Sequence, residues 1–155
     1  MRLFQNKYME LAIAEAKKSM QEEIPIGAVI IDKNSYEIFS ATHNQSITLC
    51  DSTAHAEILA IRETCRKTNN YRLDNCILYT TIEPCIMCYG AILQARIPII
   101  YFGAYNSKYG AIENNFSVLN NNIPHKPQIY GGIYEDECKQ LLQDFFSRKR
   151  NKKPC

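Results

Sequence analysis

The N-terminal part of the chain has first a helical and then an extended hydrophobic pattern. Apolar side chains recur every three or four positions from Asn6 to Met20, with charged residues between them, which predicts an amphipathic helix. Apolar and β-branched residues then dominate Ile24 to Ile31 and again Tyr36 to Thr42. The intervening Asp32-Lys33-Asn34-Ser35 favours a turn. We therefore expect a helix followed by a β-hairpin.

The middle of the chain predicts two helices with a buried strand between them. Asp51, Ser52 and Thr53 are good capping residues, and they precede an apolar stripe that Asn69-Asn70 ends. Cys76 to Thr81 has the composition of a short buried strand. Pro84 suits the first position of a helix that runs to about Gln94.

The C-terminal part predicts two more strands and a last helix. Ile97 to Phe102 and Gln128 to Tyr130 are the strands, and the helix runs from Tyr134 to about Arg148. Between the strands, Gly103 to Asn122 has little periodicity. Loops of that length in compact domains are usually functional or disordered.

This order of elements predicts an α/β fold. Strands that alternate with helices form a sheet covered by helices on both faces. With 155 residues and 46% hydrophobic content, residues 1–155 are expected to form a single domain, with a basic tail from about residue 148. No apolar run reaches the ~20 residues needed to cross a bilayer, so no membrane association is expected. Seven cysteines, an odd number, and the lack of a signal-like start favour a reducing compartment.

His55, Cys85 and Cys88 are the predicted ligands of a zinc ion, one per subunit. One imidazole and two thiolates make three ligands, and a catalytic zinc uses three protein ligands and leaves the fourth position to water. The predicted elements put His55 in the first turn of one helix, and Cys85 and Cys88 in the first turn of the next. Helix N-termini stabilise thiolates, and helix starts that follow strands line the ligand crevice of α/β sheets.

Glu57 is the predicted catalytic residue, because a carboxylate beside the zinc can carry a proton of the metal-activated water. On a regular helix, however, a residue two positions after His55 points about 200° away from it. The location of Glu57 relative to the metal therefore depends on the geometry of the first turn.

Two other kinds of site use some of these residues. A C-x-x-C pair is also found in redox proteins, but redox motifs need no His-x-Glu upstream. A structural zinc would need a fourth ligand, such as His43, His125 or another cysteine, and no second C-x-x-C-like spacing provides one. We therefore favour catalytic zinc over both alternatives.

These segments resemble the bacterial tRNA-specific adenosine deaminases of the cytidine deaminase-like superfamily. The pattern H-x-E…P-C-x-x-C is typical of zinc nucleobase deaminases and specifies only the superfamily. The narrower resemblance rests on Asn70-Tyr71-Arg72-Leu73, on Cys85 to Ile92, and on Asp144-Phe145-Phe146 with its basic tail. It implies a three-layer α/β/α fold around a central mixed sheet of about five strands.

The resemblance also implies a reaction, the deamination of adenosine to inosine at the wobble position of a tRNA anticodon. In the family, the residue matching Glu57 moves protons from water to the adenine ring and then to the leaving amine. Asn44 would hydrogen-bond the base, and Ile26 with the backbone of Ala56 would shape the pocket. A cytoplasmic homodimer that binds the anticodon stem-loop is the implied assembly.

The C-terminal residues offer further contacts to such a loop. Unstacked bases pack on aromatic rings, and phosphates bind basic residues. Phe146 is the better candidate for a base contact, since Phe145 is expected mainly in the core. The basic residues from Arg148 onward are either a solvated, frayed terminus or phosphate contacts.

The chain departs from the family pattern at two places. Ser52 stands where a proline is usual, and we expect it to cap the helix instead. Asn106 stands where the family usually has aspartate. An amide oxygen accepts a weaker hydrogen bond from a ribose 2′-hydroxyl than a carboxylate does. We therefore hypothesise that Asn106 still accepts RNA but discriminates less against deoxyribose.

Two alternative functions remain open from the sequence. A deaminase of a free nucleobase or nucleotide, of the guanine or cytosine type, would use the same metal centre but would not need Phe146 or the basic tail. A noncatalytic, zinc-stabilised RNA-binding module would retain the metal without needing Glu57.

Overall fold

The computed structural model of the protein describes residues 6–113 and 123–152. They form four helices and five strands in the order that the hydrophobic pattern predicts. The elements are α1 (Asn6–Lys18), β1 (Gly27–Asp32), β2 (Ile38–His43), α2 (Ala56–Thr68), β3 (Cys76–Ile82), α3 (Ile86–Ala95), β4 (Ile99–Ala104), β5 (Gln128–Tyr130) and α4 (Glu135–Asn151).

The strands form one mixed sheet in the order β2-β1-β3-β4-β5. β1 pairs antiparallel with both β2 and β3, whereas β4 runs parallel to β3 and to β5. The two parallel connections put the C-terminal ends of β3 and β4 at the same edge of the sheet. The predicted mixed sheet of about five strands is confirmed.

Helices cover both faces of the sheet, so the fold has three layers. Alternate strand residues point to opposite faces. Val29, Ile31 and Tyr79 pack under α1 and α4, while Ala28 and Leu78 pack under α2 and α3. The predicted α/β/α arrangement is therefore confirmed, with a separate apolar core on each side of the sheet.

Tyrosine rings are stacked across three neighbouring strands on the α1 face. The ring centroids of Tyr79 and Tyr101 are 5.0 Å apart, and those of Tyr101 and Tyr130 are also 5.0 Å apart. These pairs are in register across β3, β4 and β5. Tyr8 of α1 packs on the inner end of the stack, with its centroid 5.4 Å from that of Tyr79. The stack thus extends from the buried core to the half-exposed Tyr130 at the sheet edge.

Several element boundaries differ from the sequence prediction. Strand β4 includes Gly103 and Ala104, which were expected in the following loop, because the sheet pairing between Ile82 and Ala104 extends it. Helix α4 continues to Asn151, so Arg148, Lys149 and Arg150 form its last turn. Cations there interact favourably with the helix dipole. These three residues are therefore helical, not part of a frayed terminus.

Part of the predicted loop from Gly103 to Asn122 lies outside the described residues, namely 114–122. Among the residues that are described, no helix has both the length and the hydropathy required to cross a membrane.

Candidate active site

Two helix starts meet at the edge of the sheet where β3 and β4 end. His55 is the N-cap of α2 and Cys85 is the N-cap of α3, and both have an extended backbone. The prediction that these residues and Pro84 lie inside the first helical turns is wrong by one or two positions. The expectation that Ser52 caps α2 is also wrong. Asp51 instead accepts hydrogen bonds from the backbone and hydroxyl of Thr53, which closes a turn before the helix.

The three predicted metal ligands converge between these helix starts. His55 Nδ1 lies 3.6 Å from Cys85 Sγ and 3.5 Å from Cys88 Sγ. All three ligand atoms lie within 4.8 Å of one another. Tetrahedral zinc with ordinary Zn–S and Zn–N bond lengths separates its ligand atoms by about 3.5–3.8 Å. The donor set and its spacing therefore fit one zinc ion, ligated through Nδ1 of His55.

The electrostatics of the two thiols are strongly coupled. Hydrogen bonding by the Cys88 thiol, together with the neighbouring His55, lowers the pKa of Cys85 to about 4, although burial opposes this shift. The same hydrogen bond and burial raise the pKa of Cys88. Hydrogen bonding to Cys85 raises the pKa of His55. Both sulfurs must be deprotonated when they ligate a metal.

Glu57 lies beside the ligand cluster in spite of its two-residue separation from His55. Because His55 is the N-cap and not a helical residue, the rotation of 100° per residue does not apply between them. His55 has an extended backbone, with φ −71° and ψ 152°, and Glu57 is the second residue of the helix that follows it. Its Oε2 is 3.6 Å from Cys88 Sγ, and the carboxyl group is buried, which raises its pKa. The hydroxyl of Thr80 donates to its Oε1 over 3.4 Å.

Asn44, Ile26 and Ala56 lie together at the end of the hairpin. The backbone amide of Asn44 donates to the Ile26 carbonyl at 3.0 Å, and Thr42 Oγ1 donates to the Ala56 carbonyl at 2.7 Å. The side chain of Asn44 is only 5% exposed, and its Oδ1 is buried with no hydrogen-bond partner among the described residues. A buried carbonyl oxygen without a hydrogen-bond partner costs free energy.

The remaining two predicted contact residues are in other parts of the fold. Asn106 follows β4, and its Oδ1 accepts the amide of Tyr109 at 3.0 Å, so its side chain closes a turn. Phe146 is on α4, is 45% exposed, and packs edge-on against Phe145 with centroids 5.3 Å apart. Phe145 is buried, as expected.

Two residues of this region were missed by the sequence reasoning. Thr80 contacts the carboxylate of Glu57, and its position in a buried β-branched strand gave no sign of that role. Glu83 is 1% exposed and accepts hydrogen bonds from three backbone amides of the loop after β4. The sequence did offer one indication of this role, because Glu83 is an acidic residue between a buried strand and Pro84-Cys85.

Comparison with known proteins supports the same chemistry. Residues 3–104 match the family described as "Cytidine and deoxycytidylate deaminase zinc-binding region". The chain is 41% identical over 152 residues to a tRNA-specific adenosine deaminase of Haemophilus influenzae, a match that covers 97% of this chain and 87% of that protein.

Two solved structures are similar over most of the chain. A structure from work on A-to-I editing by tRNA:A34 deaminases has a TM-score of 0.84 and 38% identity, and the match covers 89% of this chain and all of that one. A guanine deaminase from Bacillus subtilis has a TM-score of 0.63 and 32% identity, with 97% and 98% of the two chains covered. The chain belongs to the zinc-binding cytidine and deoxycytidylate deaminase family and, within it, groups with the tRNA-specific adenosine deaminases.

Proposed function

We propose that this protein hydrolyses adenosine to inosine at the wobble position of a tRNA anticodon. The observation that carries the proposal is the convergence of His55, Cys85 and Cys88 with a buried carboxylate, Glu57, against one of the sulfurs. A noncatalytic zinc module has no need to bury such a carboxylate. The adenosine substrate and its tRNA context are supported by the relatives, since both the Haemophilus influenzae protein and the A34 deaminase structure are described as tRNA deaminases.

Glu57 is the proton carrier in the proposed reaction. A zinc ion held by the three ligands supplies an activated water for attack on C6 of adenine. The carboxylate of Glu57 would accept one proton of this water and deliver it to the adjacent ring nitrogen. It would then accept the remaining proton, from the hydroxyl now bonded to C6, and deliver it to the amine as the C6–N bond breaks. One water is consumed, and ammonia and inosine are the products. Burial raises the pKa of Glu57 above the usual value for a glutamate, which favours proton uptake by the carboxylate.

Asn44 is the proposed contact to the base. Its buried Oδ1 accepts a hydrogen bond from the substrate and thereby gains the partner that it otherwise lacks among the described residues. Ile26 and the backbone of Ala56 complete the pocket, since each is joined to the hairpin end by a hydrogen bond. A base flipped out of its stack fits such a pocket better than one in a duplex.

Contacts outside the pocket select a polynucleotide over a free base. Asn106 is proposed to face the ribose of the target nucleotide, and the exposed ring of Phe146 to stack on a neighbouring base. The basic last turn of α4 supplies charges for phosphates. The anticodon stem-loop presents all three groups in single-stranded form.

The proposed assembly is a cytoplasmic homodimer of single-domain subunits that binds one zinc ion per chain. A cytoplasmic location is consistent with a tRNA substrate and with described cysteines that form no disulfide. Sedimentation of the purified protein, with and without a stem-loop, measures the assembly directly.

Incubation of the purified zinc-loaded protein with total tRNA tests the function, with inosine located by sequencing. Inosine confined to the wobble position supports the proposal. The guanine deaminase similarity makes free guanine the appropriate competing substrate. Release of ammonia from guanine, with no inosine in tRNA, would replace the proposal by the small-molecule alternative.

A further inference from the structure

The loop after β4 is wrapped around a buried carboxylate that the proposed chemistry does not use. We propose that Glu83 is a positioning residue, whose carboxylate fixes the loop of residues 105–113 against the start of α3 and so determines the use of polynucleotide substrates. The inference rests on the proposed function, because this loop carries Asn106.

Glu83 gathers three amides that are far from it in sequence. Its Oε2 accepts the backbone N–H of Asn106 at 3.0 Å, and its Oε1 accepts those of Ile112 and Glu113 at 2.9 Å and 2.8 Å. Both oxygens are therefore occupied by donors from the two ends of the loop. A single side chain holds the beginning and the end of this segment together.

The charge of Glu83 is balanced by these amides. The side chain is 1% exposed, and within residues 6–113 and 123–152 it forms no ion pair with a cation. A buried carboxylate is costly unless its lone pairs are satisfied, and hydrogen bonds from N–H groups to a charged acceptor are the strong kind. The backbone N–H groups of the loop thus satisfy the carboxylate of Glu83, and the same hydrogen bonds hold the loop in place.

Gly110 shows how closely the loop encloses this carboxylate. A Cβ at Gly110 would overlap Cδ of Glu83 and the carbonyl oxygen of Asn106. The amide of Gly110 donates to that same carbonyl at 2.9 Å. Glycine is required here because of the close approach, since any side chain would push the loop off the carboxylate.

The anchored loop is also joined to the metal ligands. Gly110 forms an isolated antiparallel bridge with Cys85, and the Ala111 amide donates to the Pro84 carbonyl at 3.0 Å. Glu83 itself is two residues before Cys85. The position of Asn106 relative to the metal centre is therefore set by a short, continuous set of contacts, and not by the long chain path between them.

The function of this anchor is to place the loop for substrate. Lys108 and Tyr109, both exposed, follow Asn106 in the loop, and the Lys108 ammonium lies 5.2 Å from the centre of the Tyr109 ring. A cation and an aromatic ring in a loop that contacts Pro84 and Cys85 suit a nucleotide chain better than a free base. Displacement of such groups would weaken substrate binding, since they lie on the loop and are not among the metal ligands.

Glu83→Gln is the test, because it preserves shape and replaces one acceptor oxygen with an N–H₂ group that must face a backbone N–H. We expect the variant to keep one zinc per chain and a kcat within about threefold of the wild type, while its KM for an anticodon stem-loop rises about tenfold or more. Glu113→Gln is the matched control, since its side chain is exposed and only its backbone amide contacts Glu83. The control is expected to match the wild type.

Gly110→Ala tests the same contact from the other side and keeps the carboxylate. We expect Gly110→Ala to raise the KM for the stem-loop as Glu83→Gln does and to keep one zinc per chain. If Glu83→Gln does not fold, Gly110→Ala alone tests the role of the Glu83 contact. An unchanged KM in both variants, or loss of zinc in parallel with activity, would overturn the role of Glu83. A wild-type protein without activity on the stem-loop would overturn the proposed function instead, so the two failures are distinguishable.

Discussion

The carboxylate of Glu57 is in contact with the sulfur of Cys88, at 3.6 Å between Oε2 and Sγ. This contact joins the proposed proton carrier to a proposed zinc ligand on a different helix. The hydroxyl of Thr80 supports the second oxygen of the carboxylate. Glu57 is not one of the three residues of the ligand cluster, which are His55, Cys85 and Cys88. Its carboxylate is therefore not needed to hold the metal.

Replacement of Glu57 by alanine should therefore abolish turnover and leave the metal in place. We expect kcat to fall by about 10²–10⁴-fold, the usual contribution of a positioned acid–base group. Zinc content by atomic absorption should remain at one per chain. Cys88→Ala is the contrasting variant, which should lose both. Full activity in Glu57→Ala would contradict the proton-carrier role.

Asn44→Ala should lower activity without lowering the stability of the fold. The mutation removes a buried oxygen that lacks a hydrogen-bond partner among the described residues, so the free energy of unfolding should stay unchanged or increase slightly. The kcat/KM on a stem-loop should fall about 10- to 100-fold if that oxygen binds the base. Ser46→Ala removes another such buried atom and should leave kcat/KM unaltered. Equal kcat/KM values for the two variants would argue against a base contact by Asn44.

Asn106→Asp should increase the preference for RNA over DNA. The Oδ1 atom accepts the Tyr109 amide, and an aspartate oxygen can keep this contact. A carboxylate is also a stronger acceptor for a 2′-hydroxyl than an amide oxygen. We expect the ratio of kcat/KM on matched RNA and DNA hairpins to rise about tenfold. If the ratio is the same for the wild type and the variant, residue 106 does not read the ribose.

Phe146→Ala should weaken substrate binding without weakening the fold. Its ring is 45% exposed, so little apolar area is removed from the core, whereas a stacked base contributes about 1–3 kcal/mol. The KM for a stem-loop should rise with an unchanged Tm. Phe145→Ala is the reverse case, with a decrease of about 3–5 kcal/mol in stability because that ring is buried. An unaltered KM in Phe146→Ala would make Phe146 a surface residue only.

Deletion of residues 148–155 should reduce the salt dependence of RNA binding. This segment contains five lysines and arginines, and each phosphate that is no longer neutralised makes the slope of log K against log salt shallower by about 0.7 for single strands. Deletion of 152–155 alone removes two of these cations and keeps α4 intact, so its effect should be smaller. Identical slopes for the three proteins would show that the tail does not bind phosphate.

The hydrophobic pattern predicted the layers and the number of strands, because periodicity reports which face of an element is buried. It did not predict that β1 pairs with both β2 and β3, since pairing between distant strands depends on the whole sheet. The starts of α2 and α3 were misplaced because Ser, Asp and Pro signal helix starts, whereas the N-caps here are His55 and Cys85.

The ligand set was predictable from residue type and spacing, and the loop anchor was not. The partners of Glu83 are backbone amides, which every residue except proline provides, so the identities of Ile112 and Glu113 contain no sign of the interaction. The unpaired oxygen of Asn44 is likewise a property of the folded structure only. Sequence identifies side-chain chemistry well, but it does not identify sites built from main-chain groups.

The tyrosine stack across β3, β4 and β5 gives the protein an internal optical probe. The chain contains no tryptophan, so its near-ultraviolet absorption and emission come mainly from tyrosine. Tyr79, Tyr101 and Tyr130 have nearly parallel rings, with interplanar angles of 21° and 18°, and belong to the strands next to the metal-ligand helix. Near-ultraviolet circular dichroism depends on fixed aromatic packing, so loss of this stack should change the signal without any label.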